Sequence, residues 1–251
     1  MDEKRRVEIQ ELLSNPIFNI VVVDERSLNI YNQSLTHSSY AKEMKDRGIE
    51  CDDNERFEFL GDFVLNFVVS DYIFEIFKDD SEGCMTKRME VVSNEILAEI
   101  IKKKKIGIEK HIKVGKGVSG NKEDLEDSIV ADAFEALIGA VYRVKGMQKA
   151  KEIILGMLSD EIEDFDPERN HIGRLQEIVQ IEKLGDLRYN VDKIAGPSHS
   201  PTFRAVVDIS GKMCGEGTGN SKRAAKMEAA GAALNKVKYK SENAKNIAIY
   251  L

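Results

Sequence analysis

The stretch NERFEFLGDFVLNFVVSDYIFE, Asn54 to Glu75, decides how this chain is read. Its second half is almost wholly apolar, while its first half carries Glu55, Glu58 and Asp62 at spacings of three and four. On a helix, with Glu58 as origin and about 100° per residue, Asp62 falls near ~40° and Glu55 near ~60°. The other directions hold Phe59, Leu60, Phe63, Val64, Phe67 and Val68. A helix apolar nearly all round is expected to be buried. Carboxylates crowded beside such a surface are costly to ionise without a cation.

The stretch SIVADAFEALIGAVY repeats the pattern, with Asp132 and Glu135 three apart on one face of an otherwise apolar helix. Neither apolar run contains an Arg or Lys to neutralise its acids. For one stripe alone the better reading is a solvated helix edge, with Arg56 as a partner. Two stripes on separate helices point instead to a shared ligand. An oxygen-only donor set favours Mg²⁺ or Mn²⁺ over zinc, and carboxylate-held Mg²⁺ completed by water and phosphate suits phosphoryl transfer.

Composition narrows the field. The 251 residues allow one large domain or two ordinary ones, and 42% hydrophobic with 32% charged residues describes a soluble chain with a real core. No apolar run reaches the roughly 18 residues of a membrane span, and no apolar segment follows the basic residues of MDEKRRVEIQ, so no secretory signal is visible. Cys51, Cys84 and Cys214 are odd in number and form no C-x-x-C, which argues against zinc and disulfide staples and fits a reducing cytoplasm. The net charge of −7 is unevenly spread: residues 168–240 hold 13 Lys/Arg against 8 Asp/Glu. An acidic body with a basic end places nucleic-acid binding on the second part.

The expected fold is mostly α. Helical spacing runs through EIQELLSNPIFNI, the opening stretch, TKRMEVVSNEILAEIIKKK, LEDSIVADAFEALIGAVYRVKG and MQKAKEIILGMLSDEIED. The segment DFDPERNHIG breaks this rhythm and reads as a linker. Beyond it come a short amphipathic helix IGRLQEIVQIEKL, two alternating strands LRYNVDKIAG and TFRAVVDIS, a Gly-broken strand KMCGEGTG, and an Ala-rich helix after Ser221. The division is therefore an all-helical domain over 1–165, a linker over 166–171, an α-β-β-β-α domain over 172–240 and a tail over 241–251.

NERFEFLGDFVLN, with SLTHSSY before it and SEGCMTKRMEVVSNEILAEI and IVADAFEALIGAVY after it, closely resembles the ribonuclease III family of double-stranded RNA endonucleases. LQEIVQ, GPSHSPTF and GEGTGNSKRAAKMEAAGAAL resemble a double-stranded RNA-binding domain. The likeness runs from about residue 10 to 240 in the order of the simple bacterial-type enzyme. It implies metal ligation by Glu58, Asp62, Asp132 and Glu135, with Glu55 and Glu82 as auxiliary catalytic acids. It also implies Mg²⁺ (Mn²⁺ substituting), 5′-phosphate and 3′-hydroxyl ends, short 3′ overhangs and the processing of rRNA and other transcripts. The family's enzymes are homodimers, and Phe59 stands where a Phe inserts into the partner subunit; ordinary core is the competing reading of Phe59. Phe57 and Phe63 depart from the aliphatic and small residues common at their positions.

For the second domain the resemblance implies duplex binding across about 16 base pairs. Lys222, Arg223 and Lys226 at a helix start suit phosphates, with a solvated helix face as the competing meaning. Gln176, Glu177 and Gln180 share a face able to meet 2′-hydroxyls, and His199 matches the residue that reaches a second minor groove. Gly173 stands where Thr is common.

Three motifs carry less. GKGVSG, Gly115 to Gly120, fits G-x-G-x-x-G but lacks the preceding strand of a nucleotide site, so no nucleotide cofactor is expected. Lys102–Lys105 end a helix, where cations suit the dipole. His37 reads as a buried, hydrogen-bonded histidine. Two other functions compete with the nuclease: a binding module that holds duplex RNA without cutting, and a dimerising scaffold. The intact set of acids argues against both.

Overall fold

The structure, a computed structural model, describes residues 1–21, 24–118, 125–165, 171–196 and 201–241, with side chains as far as 236 in the last helix. Its contacts divide the chain into two compact units, Met1–Phe165 and Asp166–Leu251. Most of the expected linker, the tail beyond residue 241 and His199 lie outside the described residues.

The first unit is helical: α1 (Glu3–Leu13), α2 (Glu25–Ser34), α3 (Ser38–Asp46), α4 (Glu55–Ile76), α5 (Glu82–Arg88), α6 (Asn94–Lys103), α7 (Asp127–Lys145) and α8 (Met147–Glu163). Side chains fix several of its starts. Asp2, Asp24 and Ser81 accept backbone N–H bonds from Arg5, Ser27 and Cys84, and His37 does the same for Ser39. The long run TKRMEVVSNEILAEIIKKK is two helices rather than one. A tight turn at Met89–Val92 and extended backbone at Ser93 separate α5 from α6.

At the centre of this unit α7 is buried from Ile129 to Val141 with the exception of Asp132. It packs against α4 at a very close approach. A Cβ on Gly61 would lie 1.8 Å from the Glu135 carbonyl oxygen, and one on Gly139 would lie 2.3 Å from the Phe57 carbonyl oxygen. Each mid-helix glycine costs about 1 kcal/mol of helix propensity. The backbone contact it permits sets the spacing of the two acidic stripes.

The expectation that α4 is buried all round needs correcting. Val64, Leu65, Val68, Val69 and Ile73 are buried, but Phe59, Phe63, Phe67 and Phe74 are 59–68% exposed. These phenylalanines fall within an arc of about 80° on the helix. The ring centroids of Phe59 and Phe63 are 5.1 Å apart, edge to face.

The second unit holds α9 (His171–Ile181), β1 (Leu187–Ala195), β2 (Thr202–Ile209), β3 (Lys212–Gly219) and α10 (Lys222–Ser241). Its three strands form one antiparallel sheet in the order β1-β2-β3. Ser210 and Gly211, both at positive φ, make the two-residue turn between β2 and β3. The glycines of KMCGEGTG do not break β3; they form its inner face. A Cβ on Gly215 would meet the Ala229 carbonyl oxygen at 2.2 Å, and one on Gly217 the Glu228 Cβ at 2.3 Å. Ala225, Ala229, Ala230 and Ala233 complete this small-residue seam, which lets α10 lie directly on the sheet.

Candidate active site

The first two turns of α4 present Glu55, Glu58 and Asp62, and the second and third turns of α7 present Asp132 and Glu135. With the helices locked at Gly61 and Gly139, Glu58, Asp132 and Glu135 each bring one carboxylate oxygen within 4.8 Å of the others. Asp62 sits beside this trio, and its charge raises the carboxyls of both Glu135 and Glu58. Glu55 is exposed at the helix start and acts on Glu58 through its charge. Glu82 is exposed in the first turn of α5.

Burial and mutual repulsion dominate the electrostatics. Glu135 is only 6% exposed. Burial pushes its carboxyl up to about 8, with Asp62, Asp132 and Glu58 adding to the rise. Burial likewise lifts Glu58 to about 7, followed by the charges of Asp132, Glu55, Asp62 and Asp53. Burial also raises Asp132, against the pull of an Asn94 hydrogen bond and the nearby His37. Among the described residues, no Lys or Arg forms an ion pair with Glu58, Asp62, Asp132 or Glu135. Arg56 does not neutralise the stripe.

These residues fit a divalent cation. Their donors are all oxygen, they converge, and the described hydrogen bonds leave Glu58 and Glu135 without a donor. A cation between them would satisfy charge that the protein otherwise crowds together.

Two amides that the sequence did not single out, and the imidazole of His37, also stand at the site. The Asn66 amide donates to Asp62 Oδ1 at 2.6 Å and to the Asp62 carbonyl at 2.9 Å. The Asn94 amide, from the start of α6, donates to Asp132 Oδ1 at 2.9 Å. His37 is half-buried, and its Nδ1 accepts the Ser39 N–H at 3.2 Å. The strand-like pairing of Thr36 with Lys113 holds the chain just before it.

In the second unit Gln176, Glu177 and Gln180 are exposed on α9. Lys222, Arg223 and Lys226 stand in the first two turns of α10, whose start is capped by Ser221 Oγ accepting the Ala224 N–H at 3.0 Å. Their ligand, like that of the carboxylates, follows from the company the chain keeps.

A ribonuclease-III-like family pattern matches residues 27–162, and a double-stranded RNA binding motif matches residues 171–237. Ribonuclease 3 of Caldanaerobacter subterraneus subsp. tengcongensis is 38% identical over 211 residues, 82% of this chain and 90% of its own length. Ribonuclease 3 of Carboxydothermus hydrogenoformans is 36% identical over 96% of this chain and all of its own length. The crystal structure of the nuclease domain of ribonuclease III from Campylobacter jejuni is similar to 66% of this chain and to all of its own, at 28% identity and a TM-score of 0.50. A second structure of that domain, 30% identical over 60% of this chain and 96% of its own, also has a TM-score of 0.50 and concerns flexibility in a region involved in dimer formation. The fold and the acid cluster thus define a metal-using nuclease domain joined to a duplex RNA-binding domain. The chain belongs to the ribonuclease III family, and its activity is that of a double-stranded RNA endoribonuclease.

Proposed function

We propose that the chain hydrolyses the phosphodiester bonds of double-stranded RNA with Mg²⁺ held by Glu58, Asp62, Asp132 and Glu135, Mn²⁺ substituting. The observation that carries this reading is the convergence of Glu58, Asp132 and Glu135 within 4.8 Å on two helices that supply no counter-ion. A bound divalent ion supplies Lewis-acid activation of water and stabilisation of the leaving 3′ oxygen. The products then carry 5′-phosphate and 3′-hydroxyl ends. The chain's own groups hold and shape the reaction: Glu135 forms the dry floor, Glu58 and Asp62 the α4 wall and Asp132 the α7 wall. Glu55 and Glu82, both exposed, order water or RNA at the rim.

The duplex is held on the second unit. Lys222, Arg223 and Lys226 meet backbone phosphates at the α10 start, where the helix dipole adds to their charge. Gln176, Glu177 and Gln180 meet 2′-hydroxyls and base edges in the shallow minor groove, and His199 reaches a second groove. The first unit contributes cations as well. A cleft of about 690 Å³ carries Lys42, Lys45 and Arg56 beside Asp52 and Asp53.

The working form is a homodimer in the cytoplasm. Exposed Phe59, Phe63, Phe67 and Phe74 give α4 an apolar stripe suited to a second copy. An antiparallel duplex then meets two acid clusters, one for each strand. The three free cysteines accord with a reducing compartment.

The deciding experiment is incubation of the full chain with long duplex RNA, with Mg²⁺ or with chelator, followed by end analysis. Metal-dependent shortening to 5′-phosphorylated products is expected. An Asp132→Asn chain that still cuts at the wild-type rate in Mg²⁺ would show that the ligand assignment is wrong.

A further inference from the structure

The four carboxylates of the cluster are not held alike. Each aspartate receives an amide: Asp62 from Asn66 at 2.6 Å, within one helix, and Asp132 from Asn94 at 2.9 Å, across from α6 to α7. The two glutamates receive none among the described hydrogen bonds. In each aspartate the bonded oxygen is Oδ1. The amide N–H is a donor only, and it fixes the plane of the carboxylate without adding charge.

We propose that Asn66 and Asn94 are positioning residues for the metal, each holding one aspartate carboxylate in orientation for the ion. This rests on the carboxylates holding a divalent cation as set out above. The division has a physical logic. A glutamate has one more torsion than an aspartate and can swing onto an arriving ion. The aspartates, already fixed, give that ion a defined place to land. Groups that orient the ligands of a metal site commonly change its affinity by about 10–100-fold when removed.

The two asparagines differ in reach. Asn94 couples the start of α6 to α7, so its bond also sets where α6 begins relative to the cluster. Asn66 bonds within α4 and shares its amide with the Asp62 carbonyl, so the loss of its side chain is the milder change. Asn94 is exposed and Asn66 half-buried, which makes both replaceable without opening the core.

The test uses the full chain without RNA. Mn²⁺ and Mg²⁺ binding is measured by calorimetry for wild type, Asn94→Ala, Asn66→Ala, Asn94→Asp and Asn94→Gln, with metal-free melting curves as the control for folding. The expected result is metal affinity lowered about 10–100-fold in Asn94→Ala, less in Asn66→Ala, and partly restored in Asn94→Gln. Asn94→Asp, which sets a carboxylate against Asp132, binds no better than Asn94→Ala. In cleavage assays the metal concentration for half-activation rises in parallel, while the rate at saturating metal changes less. Wild-type metal affinity in both alanine variants overturns the positioning role and leaves the nuclease reading intact. A wild-type chain that binds neither ion overturns both. Should Asn94→Ala melt below the assay temperature, Asn94→Gln and Asn66→Ala decide by the same readout.

Discussion

Glu135 is 6% exposed inside the first unit, whereas Lys222 stands exposed at the start of α10 in the second. Both are ionisable groups, and their surroundings are opposite. The clustered carboxylates form no ion pair among the described residues; burial raises Glu58 and Glu135, and the charges of neighbouring acids add to the rise. Lys222 keeps its water at the helix start. Chemistry on a phosphate needs charge that is held dry and fixed until an ion arrives. Grip on a duplex needs charge that reaches and exchanges counter-ions freely. One chain supplies both by keeping them in separate units.

The largest effect that would test this contrast is a loss of chemistry without a loss of grip. Glu135→Gln or Asp132→Asn should lower cleavage in Mg²⁺ on the order of 10³-fold, the several kcal/mol a metal ligand set contributes. Duplex affinity, measured in a gel-shift assay, should stay near wild type. Comparable losses in both measurements would mean that the two units do not divide the work.

Next comes the stripe on α4. Phe59→Glu combined with Phe63→Glu should weaken self-association by at least about 30-fold, since a central aromatic anchor is worth about 2 kcal/mol or more. Sedimentation velocity reads the result directly. A wild type that is monomeric at micromolar concentration would remove the second copy from the mechanism.

The pH dependence of the metal-free chain is smaller but sharper. Glu135 titrates near 8 when folded, against an ordinary carboxyl value of 4.5. The folded state therefore holds its proton more tightly. The stability that proton contributes is complete below about 4.5 and is lost as pH rises through about 8. In chelator, the wild-type melting temperature should fall between pH 6 and pH 8.5, and Glu135→Gln should flatten that fall. Mg²⁺ should reverse it by binding the deprotonated form. A wild type whose melting temperature does not change over that range would argue that the cluster is better solvated than its burial implies.

The smallest expected effect belongs to the open side. Lys222→Ala should weaken duplex binding only several-fold at low salt and reduce the salt slope by about 1. An unchanged slope would take Lys222 out of the phosphate contact.

The acids that form the cluster were readable from spacing alone, because Glu58 with Asp62 and Asp132 with Glu135 share faces at three- and four-residue intervals. What brings the two helices together was not. Gly61 and Gly139 look like ordinary helix-weakening residues until each is seen against the other helix's backbone. The burial of α4 was misjudged because periodicity reports where apolar residues lie, not which of them a single chain covers. The helices α2 and α3 did not stand out, since few of their residues are apolar; α2 buries Ser27 and Ser34 beside Leu28 and Tyr31. In the second unit the glycines of β3 read as interruptions, yet they are what an Ala-rich helix needs in order to lie flat. Asn66 and Asn94 lie within the quoted motifs but were not singled out, because an amide's role is set by the neighbour it meets.

The contact of Gly61 with the carbonyl of Glu135 has one more consequence. The Glu135 peptide is wedged against the neighbouring helix, so the two acid-bearing backbones cannot close further on one another. Fitting a compact ion is left to side-chain torsions. The expected outcome is weaker cleavage with Ca²⁺, which prefers six to eight oxygens in a yielding shell, than with Mg²⁺, read in parallel cleavage assays.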